Sequence, residues 1–286
     1  MPDRVILCTD LDRTVIPNGD QPESPEARPR LHRFAGRSET VLVYVSGRDE
    51  GLLRSAIRDY TLPVPDFAIG DVGTTIYRLQ GERWSRWQAW SDEIAPDWRG
   101  WEGPDLAGWL GGIDRLELQE PEKQNDFKLS YYAPCDIRPA QLLAAVRERL
   151  EPRGVRANLI WSIDEQAGRG LLDILPASAN KRHAIEFLMR EQDFPDRATV
   201  FAGDSGNDLD VLVSGLQAVL VRNAPDEVRE EAVRRAGEAG HPERLYVARG
   251  GFLGMNGHYA AGVLEGVAHF LPQTVAWLAE RPGTRR

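Results

Sequence analysis

The chain has 286 residues, 42% of them hydrophobic, enough for one large domain or two smaller ones and too apolar for wholesale disorder. Its 35 basic and 44 acidic side chains leave a net charge of -9, which argues against a nucleic-acid surface but still allows a local basic pocket for a small anion. Cys8 and Cys135 are too few for a disulfide framework or a zinc cluster, and no leader-like start or long uncharged apolar stretch is present, so a soluble cytoplasmic protein with no membrane partner is expected.

Residues 5–9 are a short apolar run that predicts a buried strand. The run ends at Asp10-Leu11-Asp12-Arg13-Thr14, which would deliver two carboxylates to the edge of a sheet, where ligands of open α/β sheets bind. Two ionised carboxylates so placed repel each other, and a divalent cation would resolve the conflict; an acidic turn is the plainer alternative. Residues 17–29 read as a loop rich in proline and acidic side chains. A second apolar, β-branched run spans 40–45, and 50–59 has helical spacing, with Leu52, Leu53, Ala56 and Ile57 on one side. Residues 67–69 are a third strand candidate and 74–79 a hairpin partner. This alternation predicts a parallel sheet with crossover helices.

Composition then shifts. Six of the eight tryptophans, Trp84, Trp87, Trp90, Trp98, Trp101 and Trp109, fall within 84–109. The spacing of the first three fits one face of a short helical turn. Residues 116–119, 128–132 and 158–162 read as antiparallel strands and 139–150 as an amphipathic helix, which together suggest an inserted α+β module. The α/β pattern returns with an apolar run at 171–175, a helix at 181–190 and strands at 199–202 and 218–221. A charged helix at 227–238 and apolar segments at 263–271 and around Trp277 follow, and the tail 281–286 is expected to fray.

Four groups fall at the ends of these elements: Asp10-x-Asp12-x-Thr14, Ser46-Gly47-Arg48, Lys181, and Gly203-Asp204-Ser205-Gly206-Asn207-Asp208. Together they suit phosphoryl transfer, in which a carboxylate attacks an anionic phosphate only if a cation and hydrogen-bond donors offset the charge. Asp10 and Asp204 would supply oxygens to magnesium, and Asp208 would bind it directly or through water. Asp10 would also be the nucleophile, forming an aspartyl-phosphate. Asp12 would protonate the leaving oxygen and later deprotonate the attacking water. Ser46 would donate to the phosphoryl group, and Lys181 would neutralise the charge growing on it. Each group has an ordinary reading: a strand-to-helix turn at Ser46, a solvated helix residue at Lys181, an N-cap at Asp204. All four at once would require four coincidences.

On these residues the chain resembles the haloacid dehalogenase-like phosphohydrolases, whose signature is Asp-x-Asp-x-Thr, then Ser or Thr, then Lys, then Gly-Asp-x-x-x-Asp. The resemblance implies a doubly wound parallel-sheet (Rossmann-like) α/β core, residues 1–82 and 170–286, with a smaller inserted α+β cap domain at 83–169. It also implies magnesium as cofactor, with Asp12 touching the metal through its backbone carbonyl and Asp10, Asp204 and Asp208 as the other metal residues. A narrower likeness, to the sucrose-phosphate phosphatases, rests on Ile69-Gly70-Asp71-Val72-Gly73-Thr74-Thr75, on Phe127-Lys128-Leu129-Ser130-Tyr131-Tyr132, and on Asp173-Ile174-Leu175-Pro176 with Ser178-x-Asn180-Lys181. Val221-Arg222-Asn223-Ala224 and residues 260–270 share it.

The resemblance therefore implies a sugar-phosphate phosphatase, with sucrose 6-phosphate the expected substrate and mannosyl-3-phosphoglycerate or another sugar phosphate the alternative. A non-catalytic sugar-phosphate-binding partner domain of a synthase is the alternative of another class, and the intact Asp10–Asp12 pair argues for the enzyme. Association with the synthase that makes the substrate is a further expectation. A phosphomutase is disfavoured because only about thirty residues separate Asp12 from Ser46, little room for a cap there. Thr14, Gly47, Arg48 and Asn207 are candidate phosphate contacts; Lys128, Asn158 and Asn223 are candidates for reading the sugar. Two residues depart from the family pattern: Arg13, where a small or amide residue is common, and Thr75, where many relatives are acidic. Most of the tryptophans are expected to pack the cap or its hinge, with stacking on a sugar as the alternative.

Overall fold

The computed structural model describes residues 4–164 and 167–280, so the tail 281–286 lies outside the described residues. Its central strand, β1 (Val5–Thr9), is buried along its whole length. Val5 and Leu7 enter one apolar layer while Ile6 and Cys8 enter the other, as the pleat of a strand covered on both faces requires. Parallel β2 (Thr40–Val45) and β3 (Phe67–Gly70) extend the sheet on one side of β1. Antiparallel β4 (Thr75–Gln80) and β5 (Arg83–Arg86) close that edge.

A separate four-stranded antiparallel sheet holds β6 (Glu117–Leu118), β7 (Leu129–Pro134), β8 (Ala157–Asp164) and β9 (Arg169–Pro176), in the order β6-β7-β9-β8. The chain then returns to the large sheet on the other side of β1, through β10 (Thr199–Gly203), β11 (Gln217–Leu220) and β12 (Leu245–Val247). The eight-stranded order is β12-β11-β10-β1-β2-β3-β4-β5. The winding therefore reverses between β1 and β10, the switch point at which open α/β sheets bind ligands.

Helices α1 (Ala27–Ala35) and α2 (Glu50–Asp59) cover one face through Leu31, Phe34, Leu53 and Ala56. Helix α3 (Gln88–Ile94) lies on the other face, where Trp87, Trp90 and Ile94 are buried. Helices α4 (Gly103–Leu110) and α5 (Pro139–Leu150) pack Leu106, Leu110, Leu142 and Val146 against Leu129, Tyr131, Leu172 and Ile174 of the small sheet. Helices α6 (Lys181–Glu191), α7 (Leu209–Leu212) and α8 (Asp226–Glu238) join α3, whereas α9 (Ala260–Phe270) and α10 (Val275–Ala279) join α1 and α2. Among the described residues, no helix is long and apolar enough to cross a membrane.

The structure moves both expected limits of the inserted domain. Residue 83 begins β5, which pairs with β4 in the large sheet, and Trp87 and Trp90 meet Phe187 of α6 at ring separations of 5.2 and 5.1 Å. The large domain thus continues through Ile94, held there by indole burial. At the other limit, the apolar run in β9 does not return to the large sheet at residue 170; it pairs with β7 and β8 as far as Pro176. The tryptophans are mainly packing residues, and Trp90 and Trp98 are fully buried. Trp84, Trp87 and Trp90 do not share a helical face, because Trp84 lies on β5 and Trp87 precedes α3. Helix α1 begins inside the segment expected to be a loop.

Candidate active site

Three parallel strands end side by side, which is why residues distant in sequence converge. Asp10 follows β1, Ser46 follows β2, and Asp204 follows β10. The Asp10 amide donates to the Ala202 carbonyl at 2.9 Å, so the β1–β10 pairing reaches the first carboxylate. Lys181 is the first residue of α6, whose N-cap Asn180 accepts a hydrogen bond from the His183 amide. This cap sets where the helix starts and so where the lysine enters the site.

The Lys181 ammonium donates to Asp10 Oδ1 and to Asp208 Oδ1, both at 2.8 Å, and approaches Asn207 Oδ1 at 3.4 Å. Asp208 is fully buried, and its other oxygen accepts from the amides of Asp204 and Ser205 at 3.2 and 3.3 Å. Gly203 permits this fold-back, since a Cβ there would stand 2.6 Å from the Asp208 carboxyl. Thr14 Oγ1, also buried, lies 3.5 Å from Asp10 Oδ2 and 3.3 Å from Asp204 Oδ1. Carboxylate oxygens of Asp10, Asp204 and Asp208 all lie within 4.8 Å of one another. Asp204 Oδ2 is buried without a hydrogen-bond partner among the described residues, and its one ion-pair neighbour is Arg13 Nε at 3.5 Å.

One ammonium cannot balance three buried carboxylates, and the titration of the cluster reflects that deficit. Burial, reinforced by Asp208 and Asp204, pushes the Asp10 carboxyl up to about 7 despite Lys181. Burial and Asp208 push Asp204 up to about 6. Burial opposes the charge on Lys181, but Asp208 and Asp10 raise its pKa above the usual lysine range.

Asp12 has a different environment. Burial alone would raise its pKa, but the Arg48 guanidinium grips both oxygens, at 2.8 and 2.6 Å, and holds it below the usual carboxylate range. Asn18 donates to Asp12 Oδ1 at 2.8 Å. Asp10, Asp12, Ser46, Arg48, Asp204 and Asn207 share the wall of one cavity of about 390 Å³, as does Gly47.

The remaining candidates fall elsewhere. Thr14 sits beneath the carboxylates rather than on the cavity wall. Asn223 is committed at both ends of its side chain: Nδ2 donates to the Arg13 carbonyl at 2.6 Å and Oδ1 accepts from the Tyr259 amide at 2.8 Å. It ties the Asp10 loop to the start of α9 and does not face the cavity that Asp10 and Asp12 line. Lys128 is buried between the domains, where its charge acts on Asp71 and Asp49, and Asn158 lies on β8 opposite Leu175. Neither lines the cavity beside Asp10. Sequence reasoning assigned no role to Asn18 or Arg13. The unusual arginine at position 13 was a visible signal; nothing local marked Asn18.

Residues 3–271 match the family described as sucrose-6F-phosphate phosphohydrolase. The chain is 58% identical to a protein of Nitrosococcus oceani named only as a HAD-like hydrolase, across 97% of this chain and 75% of that one. It is 27% identical to sucrose-phosphatase 1 of Nicotiana tabacum, across 93% of this chain and 59% of the tobacco protein, so it spans less than two thirds of that relative. Among solved structures, the sucrose-phosphatase of Synechocystis sp. PCC6803 in complex with sucrose and phosphate is similar, with a TM-score of 0.68 and 28% identity over 93% of this chain and 98% of that one.

Proposed function

Because the chain belongs to the sucrose-6F-phosphate phosphohydrolase family, haloacid dehalogenase-like phosphoric monoester hydrolases, we propose that it is a magnesium-dependent sugar-phosphate phosphatase whose preferred substrate is sucrose 6-phosphate. The observation that carries this reading is the clustering of Asp10, Asp204 and Asp208, two of them bonded to Lys181, beside a cavity that Asp12 and Ser46 also line.

The donor set fits magnesium: it is all oxygen and buried, carries surplus negative charge, and includes the Asp204 oxygen that lacks a hydrogen bond. Asp10, Asp204 and Asp208, with the backbone carbonyl of Asp12, would hold the ion. When bound, it supplies the positive charge that lets one anion approach another. Asp10 attacks phosphorus and becomes the aspartyl-phosphate, with Lys181 orienting its carboxylate and countering the equatorial charge. Ser46 and the backbone at Gly47 face the phosphoryl group from β2. Asp12 gives a proton to the departing sugar oxygen and then takes one from the attacking water. Its ion pair with Arg48 suits the second duty; the first requires that pair to loosen so that Asp12 can carry a proton.

The cap reads the leaving group. Packing against α4 and α5 hides one face of the small sheet and leaves Ser130, Tyr132, Asn158 and Asp173 on the opposite face. The free thiols, Cys8 buried and Cys135 exposed, support the expected cytoplasmic setting. The test is phosphate release from a panel of sugar phosphates, with and without magnesium. Sucrose 6-phosphate should be hydrolysed fastest and only with the metal. Preference for mannosyl-3-phosphoglycerate or another sugar would retain the chemistry and change the substrate. No magnesium-dependent release from any sugar phosphate would refute the reading.

A further inference from the structure

A second cavity, of about 670 Å³, opens beside the catalytic one on the same edge of the large sheet. The two share Arg13 and Pro225 as a common wall. Arg13, Arg222, Arg229 and Arg249 line it together with His258, and Asp226 is its one carboxylate. In a chain of net charge -9, this is a local excess of positive charge that composition does not lead one to expect.

The guanidinium groups are unequally engaged. Arg229 is spent internally, on Asp226 at 2.6 Å and on the carbonyls of Arg222 and Ala224. Arg13 leans toward Asp204. Arg222 gives one nitrogen to the Asn256 carbonyl at 3.1 Å, and the Arg249 side chain makes no hydrogen bond or ion pair among the described residues. The exposed Arg222 comes from the loop after β11 and Arg249 from the end of β12, so two available guanidinium forks enter one concavity from adjacent strands. Such forks match tetrahedral oxyanions, to which they donate in pairs.

We propose that this groove is a second, non-catalytic binding site for a phosphate-class oxyanion, held chiefly by Arg222 and Arg249. It goes beyond the proposed hydrolysis, to which neither arginine contributes. A concave site of this volume suits a free phosphate or the phosphoryl group of a small sugar phosphate better than a broad protein surface. With Arg13 as the shared wall, an anion in the groove would draw that side chain away from Asp204 and couple the two cavities.

Titration calorimetry on the full chain at low ionic strength tests the site, with inorganic phosphate as the probe in one arm. Sucrose 6-phosphate added to an Asp10→Asn background, where it is not consumed, is the other arm and separates the two sources of the anion. The R222Q/R249Q double variant should bind the probe at least about ten-fold more weakly, while turnover at low phosphate stays within about two-fold of the parent. Asp226→Asn, which removes the opposing carboxylate, should tighten binding. A crystal soaked in phosphate should show the anion between Arg222 and Arg249. Unchanged binding in the double variant, binding of an acidic protein but of neither small anion, or phosphate only in the Asp10 cavity would overturn the proposal.

Discussion

The carboxyl edge of the large sheet and the cap-sheet face opposite α4 and α5 hold their polar groups differently. At the sheet edge the charged groups are crowded, buried and short of positive charge: Lys181 lies between Asp10 and Asp208, and Thr14 lies under Asp10 and Asp204. On the cap the polar groups are spread along a short antiparallel sheet and paired locally, as buried Ser130 is with Asp173. The first arrangement stores electrostatic demand, which a divalent cation and a phosphoryl group satisfy. The second offers hydrogen bonds with little net charge, which suits a sugar. Under the proposed function, chemistry belongs to the strand ends and selectivity to the cap.

The largest expected effect is on the sheet edge. Asp10→Asn should lower turnover by at least about 10⁴-fold, measured as phosphate release, while circular dichroism shows an intact fold. Near-normal turnover would break the division, because another group would then be the nucleophile.

Burial separates the two domains' tryptophans from the exposed one and gives the next effect. Trp98→Ala should destabilise the protein by about 3–5 kcal/mol in chemical denaturation, since it empties the centre of the cap core. Trp101→Ala should cost about 1 kcal/mol or less, because that residue is 40% exposed and its ring meets Trp109 edge-on. Equal losses would mean that the cap is not organised around Trp98.

The pH dependence sharpens the electrostatic half. In the folded, metal-free protein Asp10 and Asp204 keep their protons up to about 7 and about 6, whereas the unfolded chain ionises near 3.8. The stability linked to these groups is full below that lower value and is lost as pH rises through 6 and 7. Asp10→Asn should therefore melt progressively above the parent as pH rises from 5 to 8 without magnesium. Adding magnesium at pH 8 should raise the parent's melting temperature and narrow that gap. A gap constant with pH would contradict the assigned environments.

Much of the site was legible from the sequence, because the alternating strands are short and each ends directly in its motif. Asp10, Ser46 and Asp204 needed only the assumption of adjacent parallel strands to be brought together. The cap limits were not legible. The apolar alternation of β9 is the same whether it joins the large sheet or the small one, and only its register with β7 and β8 decides. Helix α1 was hidden because its buried face includes Arg30 beside Leu31 and Phe34. The Arg48 grip on Asp12 spans 36 residues, and the Asn223 link to Arg13 spans 210, so neither leaves a local trace.

The smallest expected effect lies on the cap side. Asn158→Ala and Asp173→Asn should each raise KM for sucrose 6-phosphate by about ten-fold or less with little change in kcat. A matching fall in kcat would place these residues with the chemistry instead.

The central claim is that Asp10 itself becomes phosphorylated. The most direct measurement is to quench turnover rapidly, reduce any acyl phosphate with borohydride, and map the product by peptide mass spectrometry. The account predicts conversion of Asp10 to homoserine, dependent on both magnesium and sugar phosphate. A covalent phosphate on Ser46, or release of phosphate with no trapped aspartate at any quench time, would contradict it.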